Sequence, residues 1–498
     1  MKKIVSKMIE KYRSFPVPIR ASFFFVFCGV FKDVVDVIST PIFTRILTTD
    51  EYGLFSVYNS WYQIVRIIIT LSIFSDAFNV GMSRFDDDRE GFASSQQGLI
   101  TTLTLIWTSV LVVFRGAFSD LMKLSETLIV LMIVQVLFSS AFYVWFQKKR
   151  YVYSYKILTA VTLSYTILQP LIGIVLIKLN NERSLGFNNG DLRIFGGVGV
   201  QVVFGIVFFI IQFIKSRKYF DRKYWRFSLR INIPLLPHYL SQILLNQSDK
   251  LMIDYFQGKS YAAVYSVAHS AAFVIQAVTT NLNATFIPWF YEKLKRKKYD
   301  GIKKATSGLV LISATVVFLL VLVAPEAMKI LAGKEYIEGM WIIPPLAFSV
   351  YLIFVYMIFS DLELFYEKSK FILISSIVGA AANIILNYIF IPKFGYIAAG
   401  YTTVVGYVLM CVGHIVFARI TCKNEDVLFN EIYSLKFILT VTCALAILCA
   451  GTMLLYNYWM IRYGLLALVI LTLVIRRKTI VKLIKDLKAK EKQIAEDK

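Results

Sequence analysis

Ionisable side chains lying in the middle of long apolar runs are where this chain could do chemistry. Arg66 sits in Ile64-Val65-Arg66-Ile67-Ile68-Ile69. A charge at the centre of a bilayer costs about 2.5–3.5 kcal/mol on insertion scales, so it persists only when paired or turned toward a watery cavity. Arg66 is too deep in its run to snorkel. It reads as facing a cavity and meeting an anionic group, with a structural pair to an acid as the plainer alternative. Lys32 and Asp36, with Asp33 between them, are four apart and share one helix face; they either pair with each other or line the same cavity. Arg45, beyond Pro41, could simply snorkel. Gln242, Asn246 and Asp249 recur at i, i+4 and i+7, followed by Lys250 and Asp254. Asp76 and a polar run from Gln276 through Thr279, Thr280, Asn281 and Asn283 extend the pattern. One by one, the neutral residues are ordinary interhelical hydrogen-bond partners. As a group they read as the wall of an aqueous cavity.

The elements that must position these groups follow from composition. Of 498 residues 57% are apolar and only 17% are charged. A membrane-spanning helix consumes about 20 apolar residues, so fourteen spans nearly exhaust that supply. A soluble enzyme of this length is excluded. Apolar runs predict helices at 20–46, 52–80, 95–114, 125–146, 155–178, 193–214, 232–256, 261–290, 305–325, 341–362, 370–391, 396–418, 437–457 and 459–475. With the N-terminus inside, the inner segments carry roughly four times as many Lys and Arg as the outer ones, as the positive-inside rule requires. Position therefore explains the net charge of +22, and nucleic acid is not expected as a partner. The first residues lack a signal peptide's apolar core and read instead as a basic amphipathic helix on the inner membrane surface. The five cysteines and three histidines are too scattered for disulfides or a metal site, and no metal or cofactor is expected. Prolines 41, 170, 234, 237, 288, 344 and 345 are candidate bends.

The chain also resembles itself at a separation of about 210 residues, the kind of internal repeat on which many transporters are built. Tyr52-Gly53-Leu54-Phe55-Ser56-Val57-Tyr58 is echoed by Tyr261-Ala262-Ala263-Val264-Tyr265-Ser266-Val267, and Lys156-Ile157-Leu158 by Lys370-Phe371-Ile372-Leu373. At that separation Arg66 corresponds to Gln276. The expected fold is all-α: about 14 transmembrane helices, as two six-helix bundles in pseudo-twofold parallel repeat plus two extra C-terminal helices. The expected segments are a basic amphipathic N-terminus (1–19), a first bundle (20–214), a basic cytoplasmic linker (215–231), a second bundle (232–418), two additional helices (419–475) and a basic cytoplasmic tail (476–498).

Pro41-Ile42-Phe43-Thr44-Arg45-Ile46-Leu47, with Glu51-Tyr52-Gly53-Leu54-Phe55, resembles the first loop of the Wzx-type polysaccharide flippases. These belong to the multidrug/oligosaccharidyl-lipid/polysaccharide (MOP) exporter superfamily. Ile233-Pro234-Leu235-Leu236-Pro237-His238, then Asp249-Lys250-Leu251-Met252-Ile253, is similar to the start of that family's second half, with Lys250 standing where arginine is common. The resemblance implies alternating access and a substrate path between the halves. It implies an undecaprenyl-diphosphate-linked oligosaccharide as substrate, the lipid bilayer as surroundings and a polysaccharide polymerase machinery as partner. The products would be O-antigen and lipopolysaccharide, capsule or another exopolysaccharide, made at the bacterial cytoplasmic membrane. Substrate contacts would fall to Arg66, Lys32, Asp36, Arg45, Asn246, Asp249, Lys250 and Gln276, and ion coupling to Asp36, Asp249 or Asp254. A multidrug/cation antiporter of the same superfamily is the alternative. A membrane-embedded polymerase or ligase is disfavoured, because no outer loop exceeds about 15–20 residues and no catalytic constellation is present.

Overall fold

The computed structural model describes residues 17–496, with side chains throughout except at positions 18, 19, 76 and 478–496. Residues 1–16 of the expected amphipathic segment, the last two residues of the tail and the Asp76 side chain lie outside that description. All regular structure among the described residues is helical. In chain order the helices are α1 (Val17–Ile46), α2 (Thr49–Thr70), α3 (Asp76–Arg84), α4 (Arg89–Val113), α5 (Arg115–Met122), α6 (Glu126–Tyr151), α7 (Tyr155–Arg183), α8 (Asn189–Ser216) and α9 (Arg222–Gln257). They continue as α10 (Lys259–Lys295), α11 (Ile302–Leu322), α12 (Ala324–Leu331), α13 (Ile343–Phe365), α14 (Ser369–Phe394), α15 (Ile397–Asn424), α16 (Phe429–Ile432), α17 (Leu435–Leu454) and α18 (Trp459–Glu496).

Eleven of the described helices are long and apolar enough to cross a membrane. Three more, α1, α2 and α9, have 30, 22 and 36 residues. At 1.5 Å per residue even the shortest reaches about 33 Å, enough for a hydrocarbon core of about 30 Å. They fall short only in apolarity, because they carry Lys32, Asp33 and Asp36; Arg66; and Gln242, Asn246, Asp249 and Lys250. The three polar spans are the ones singled out above as bearing chemistry.

Several predicted spans have different ends, and the last helix, predicted to end at 475, continues to Glu496. The run 52–80 is broken, because Leu71 and Ser72 both take the left-handed conformation (φ 49° and 50°) and end α2 before α3 begins. No glycine or proline marks that break. The predicted span 232–256 begins earlier, since α9 already starts at Arg222 within the expected linker. Pro344 and Pro345 occupy the first turn of α13, where a missing N–H costs nothing, and so are not bends. Pro41, Pro170, Pro234, Pro237 and Pro288 do lie inside helices.

The chain divides into two compact units, Met1–Ile243 and Leu244–Lys498, with the division falling inside α9. In the first unit, Thr48 and Glu51 form a capping box on α2: the Glu51 amide donates to Thr48 Oγ1 (3.3 Å) and the Thr48 amide to Glu51 Oε2 (2.9 Å). Glu51 Oε1 also accepts from the Asn189 amide (3.2 Å), tying the start of α2 to the start of α8. Beside this link Arg193 is buried among Phe43, Tyr52 and Phe55, its guanidinium 3.9, 4.5 and 3.5 Å from their ring centroids. Phe43, Thr48, Glu51, Tyr52 and Phe55 thus form a structural joint with α8.

At the other end of the unit, the residues after α8 fold back onto α4. Lys218 bridges Asp88 (3.0 Å) and Asp221 (3.1 Å), and these two carboxylates raise its ammonium pKa above the ordinary lysine range. Trp225 Nε1 donates to the Ser95 carbonyl (2.9 Å), and Tyr219 lies so close to α4 that a Cβ at Gly98 would fall 2.0 Å from its carbonyl oxygen.

In the second unit α13 is the central helix, with 89% of its apolar window buried. The last helix is fastened by Arg462, which is 2% exposed and grips Glu326 in a two-pronged pair (2.7 and 2.8 Å) while donating to the Leu322 carbonyl (2.7 Å). Arg462 is the leading cause of a lowered Glu326 pKa. A depressed carboxylate pKa contributes stability above the ordinary value of 4.5, lost as pH falls through the depressed value. Glu326→Gln, which removes the Arg462 counter-charge but leaves its bond to the Leu322 carbonyl, is expected to cost about 1–3 kcal/mol. Unfolding followed against pH should show the acid loss in the native protein and not in Glu326→Gln.

Candidate functional site

In the first unit α2 and α6 face each other through a ladder of polar rungs, one helical turn apart. Tyr58 donates to Gln135 Oε1 (2.8 Å), and Tyr62 shares a 2.8 Å hydrogen bond with Ser139. The next rung is Arg66, whose guanidinium lies 4.9 Å from the centroid of the Tyr143 ring. The sequence separation is 77 at each of the first two rungs, and Arg66 and Tyr143 keep the same register. Equal separations mean that the two helices run parallel. The ladder continues sideways, as Gln135 Nε2 donates to Gln201 (3.0 Å) on α8, and Gln201 Nε2 to Gln169 (3.3 Å) on α7.

Arg66 closes the ladder in an aromatic setting. Tyr62 and Phe74 each stand 5.6 Å from its guanidinium, and Phe74 stacks on Tyr143 at 5.2 Å. Cation–π contacts of this kind stabilise by about 0.5–2 kcal/mol, and the guanidinium also hydrogen-bonds with the Tyr143 and Tyr62 side chains. Its Nε is buried without a hydrogen-bond partner. Among the described residues no carboxylate lies within ion-pairing distance of Arg66.

The other cations of this unit are placed differently. Lys32 and Asp36 are both exposed on α1 and interact electrostatically. Arg45 folds back to donate to the Pro41 carbonyl four residues earlier (2.7 Å).

The second unit holds the strongest acceptor site. Asp249 is 2% exposed. Its Oδ2 accepts from Tyr265 on α10 (2.5 Å) and Thr403 on α15 (2.6 Å), and its Oδ1 from Asn387 (2.6 Å) and Asn383 (3.2 Å) on α14. Ser248 and Thr402 extend the cluster through the two asparagine carbonyls. Four neutral donors satisfy the carboxylate, and among the described residues no cation pairs with it. Lys250, one residue on, points elsewhere and donates to Gln247 (3.3 Å). Asn246 lies on the same helix, Asp254 is 4% exposed near its end, and Gln276 is half-buried on α10.

The sequence reading found Arg66 and Asp249 but missed their partners. Tyr58, Tyr62 and Arg66, and Gln135, Ser139 and Tyr143, each repeat at i, i+4, i+8; that matched spacing was the available signal. Gln169 and Gln201 are single polar residues within apolar runs and gave none.

Comparison with known proteins bears on this arrangement. Residues 19–294 match the family described as "polysaccharide biosynthesis protein", which is more than half of the chain. The chain belongs to that family. A curated relative, the "Lsg locus putative protein 1" of Haemophilus influenzae, is 26% identical over 198 residues, which cover 37% of this chain and 49% of the relative. The chain thus spans about half the length of the curated relatives it matches. Among solved structures, the lipid II flippase MurJ in an inward closed conformation has a TM-score of 0.67 at 14% identity, covering 92% of this chain and 98% of that one. An outward-facing multidrug resistance MATE transporter of the MOP superfamily has a TM-score of 0.52 at 14% identity, covering 82% and 96%. At such identities the likeness is one of fold. This is a multi-pass membrane protein of the polysaccharide biosynthesis family with the fold of MOP-superfamily transporters.

Asp249→Ala would leave four donors without an acceptor, at about 1–3 kcal/mol for each that stays buried and unpaired. Its unfolding temperature in detergent is expected to drop sharply, with a smaller drop for Asp249→Asn, which keeps one acceptor oxygen. Equal stability of Asp249→Ala and the native chain would remove Asp249 as an organising group.

Proposed function

We propose that this protein is a flippase that moves undecaprenyl-diphosphate-linked oligosaccharide repeat units from the inner to the outer leaflet of the cytoplasmic membrane. It works by alternating access and serves O-antigen, capsule or exopolysaccharide biosynthesis. Both termini lie on the cytoplasmic side in this reading, and the polysaccharide polymerase machinery receives the product. The observation that carries it is Arg66, a deep cation with an unpartnered Nε and no carboxylate at hand among the described residues. A diphosphate supplies the acceptor oxygens that a guanidinium binds in a charge-assisted, bidentate manner. The phenols and amides of the ladder suit the hydroxyl groups of a sugar. Lys32, Arg45 and Lys250 are further cations for the headgroup, with Asp36, Asn246, Asp249 and Gln276 as polar contacts. Outward movement of the anion is favoured by an inside-negative potential, by about 2.3 kcal/mol per charge per 100 mV.

Ion coupling, to H⁺ or Na⁺, is assigned in this reading to Asp249, with Asp36 and Asp254 as further carboxylates. Asp249 is the best placed of the three, being buried among oxygen-bearing side chains with no cation of the protein paired to it among the described residues. A multidrug/cation antiporter is the second reading, in which the exposed Asp36 on α1 would be the accessible carboxylate for a cationic cargo.

Arg66→Ala is expected to abolish surface-polysaccharide export at native membrane levels, and Arg66→Lys to retain part of it, since the charge stays but the planar fork is lost. Export and expression measured together in the native host check this. Full export by the alanine variant would remove Arg66 from the mechanism.

A further inference from the structure

The second unit buries a further set of ionisable groups, at the end of α13 away from its two prolines. Glu363 and His414 are both 0% exposed, and His414 Nδ1 lies 3.0 and 3.1 Å from the two carboxylate oxygens. The other ring nitrogen, Nε2, is buried and has no hydrogen-bond partner. Tyr356 stacks on the imidazole with ring centroids 5.3 Å apart. Two residues before Glu363, Asp361 is 4% exposed; Asn283 of α10 bonds to it, and its Oδ2 has no partner. Tyr433, whose hydroxyl donates to the Ile358 carbonyl (2.9 Å), interacts electrostatically with both Asp361 and Glu363.

The surroundings supply no compensating charge. Asn283 and Tyr291 of α10 interact with Asp361, Cys411 of α15 with Tyr356, and Cys422 of α15 with Tyr433. Arg419 lies over the Phe429 ring at 5.3 Å. Near the start of α14, Lys368 is taken by Glu425 (3.1 Å). Among the described residues none of these forms an ion pair with Asp361, Glu363 or His414. A buried net charge costs several kcal/mol, whereas an ion pair or a neutral group costs far less. The pair is neutral overall when it holds one proton, as carboxylate and imidazolium or as carboxylic acid and imidazole. Asp361 is neutral only as the acid.

We propose that Glu363, His414 and Asp361 form a proton-binding site that couples proton movement to the transport cycle, separate from Asp249. The proposal rests on the transporter reading. His414 takes up a proton at its free nitrogen, or gives one up from the pair, only when water or a counter-charge reaches it. Occupancy by protons is thereby tied to the opening and closing of this part of the unit.

The test uses the full-length protein in two arms. In lipid vesicles without substrate, infrared difference spectra on acidification follow carboxyl and imidazole signals for the native chain, Glu363→Gln, His414→Gln and Asp361→Asn. The expected result is a carboxyl change and an imidazole change that disappear together in either pair variant, and a separate carboxyl change lost in Asp361→Asn. Unaltered spectra in folded variants would overturn the site. In the second arm, export of surface polysaccharide by cells is recorded against external pH. The native profile is expected to depend on pH, and the profile of His414→Gln to be flat and several-fold lower. A variant that exports with the native pH profile would overturn the coupling. Absence of any export role for the native chain would overturn the transporter reading and the coupling with it, while leaving the vesicle titration intact.

Discussion

A charge placed in hydrocarbon must find an opposite charge, water or a dense set of hydrogen bonds, and the polar interior of this protein follows from that constraint. Each unit meets it differently. In the second, Asp249 is saturated by four neutral donors, so the cluster holds together without a counter-ion. In the first, Arg66 is lined by aromatic rings that tolerate a cation, with the Tyr62 and Tyr143 side chains as hydrogen-bond partners and its Nε buried without one.

The structural joints are separate from these sites. Thr48, Glu51 and Asn189 join two helix starts, and Arg193 is held by three rings next to them. Arg462 pins the last helix to Glu326. Arg462 has a carboxylate partner, whereas Arg193, like Arg66, is held against three aromatic rings. Burial of a cation is not by itself a sign of function.

The helical architecture was legible because a bilayer imposes one length and one polarity on every span. Arg66 and Asp249 were legible for the same reason, as charges where charges are costly. The break after Thr70 was not, since Leu71 and Ser72 adopt positive φ without a glycine or proline to announce it. Nor was the Glu363–His414 pair, whose members are 51 residues apart on helices that meet only in the fold. The two faces of the Tyr58–Gln135 ladder each carry a visible period of four, but nothing in one helix alone says which other helix matches it. Long-range pairing is where one sequence read alone runs out.

The central claim is that Arg66 receives the diphosphate of a lipid-linked sugar. Native mass spectrometry of the full-length protein with undecaprenyl diphosphate, comparing the native chain with Arg66→Ala, tests it most directly. A hydrogen bond to a charged group stabilises by about 1.5–3 kcal/mol, so the account predicts that affinity falls roughly ten- to a hundred-fold in the variant. Equal occupancy of the lipid in both proteins would contradict it.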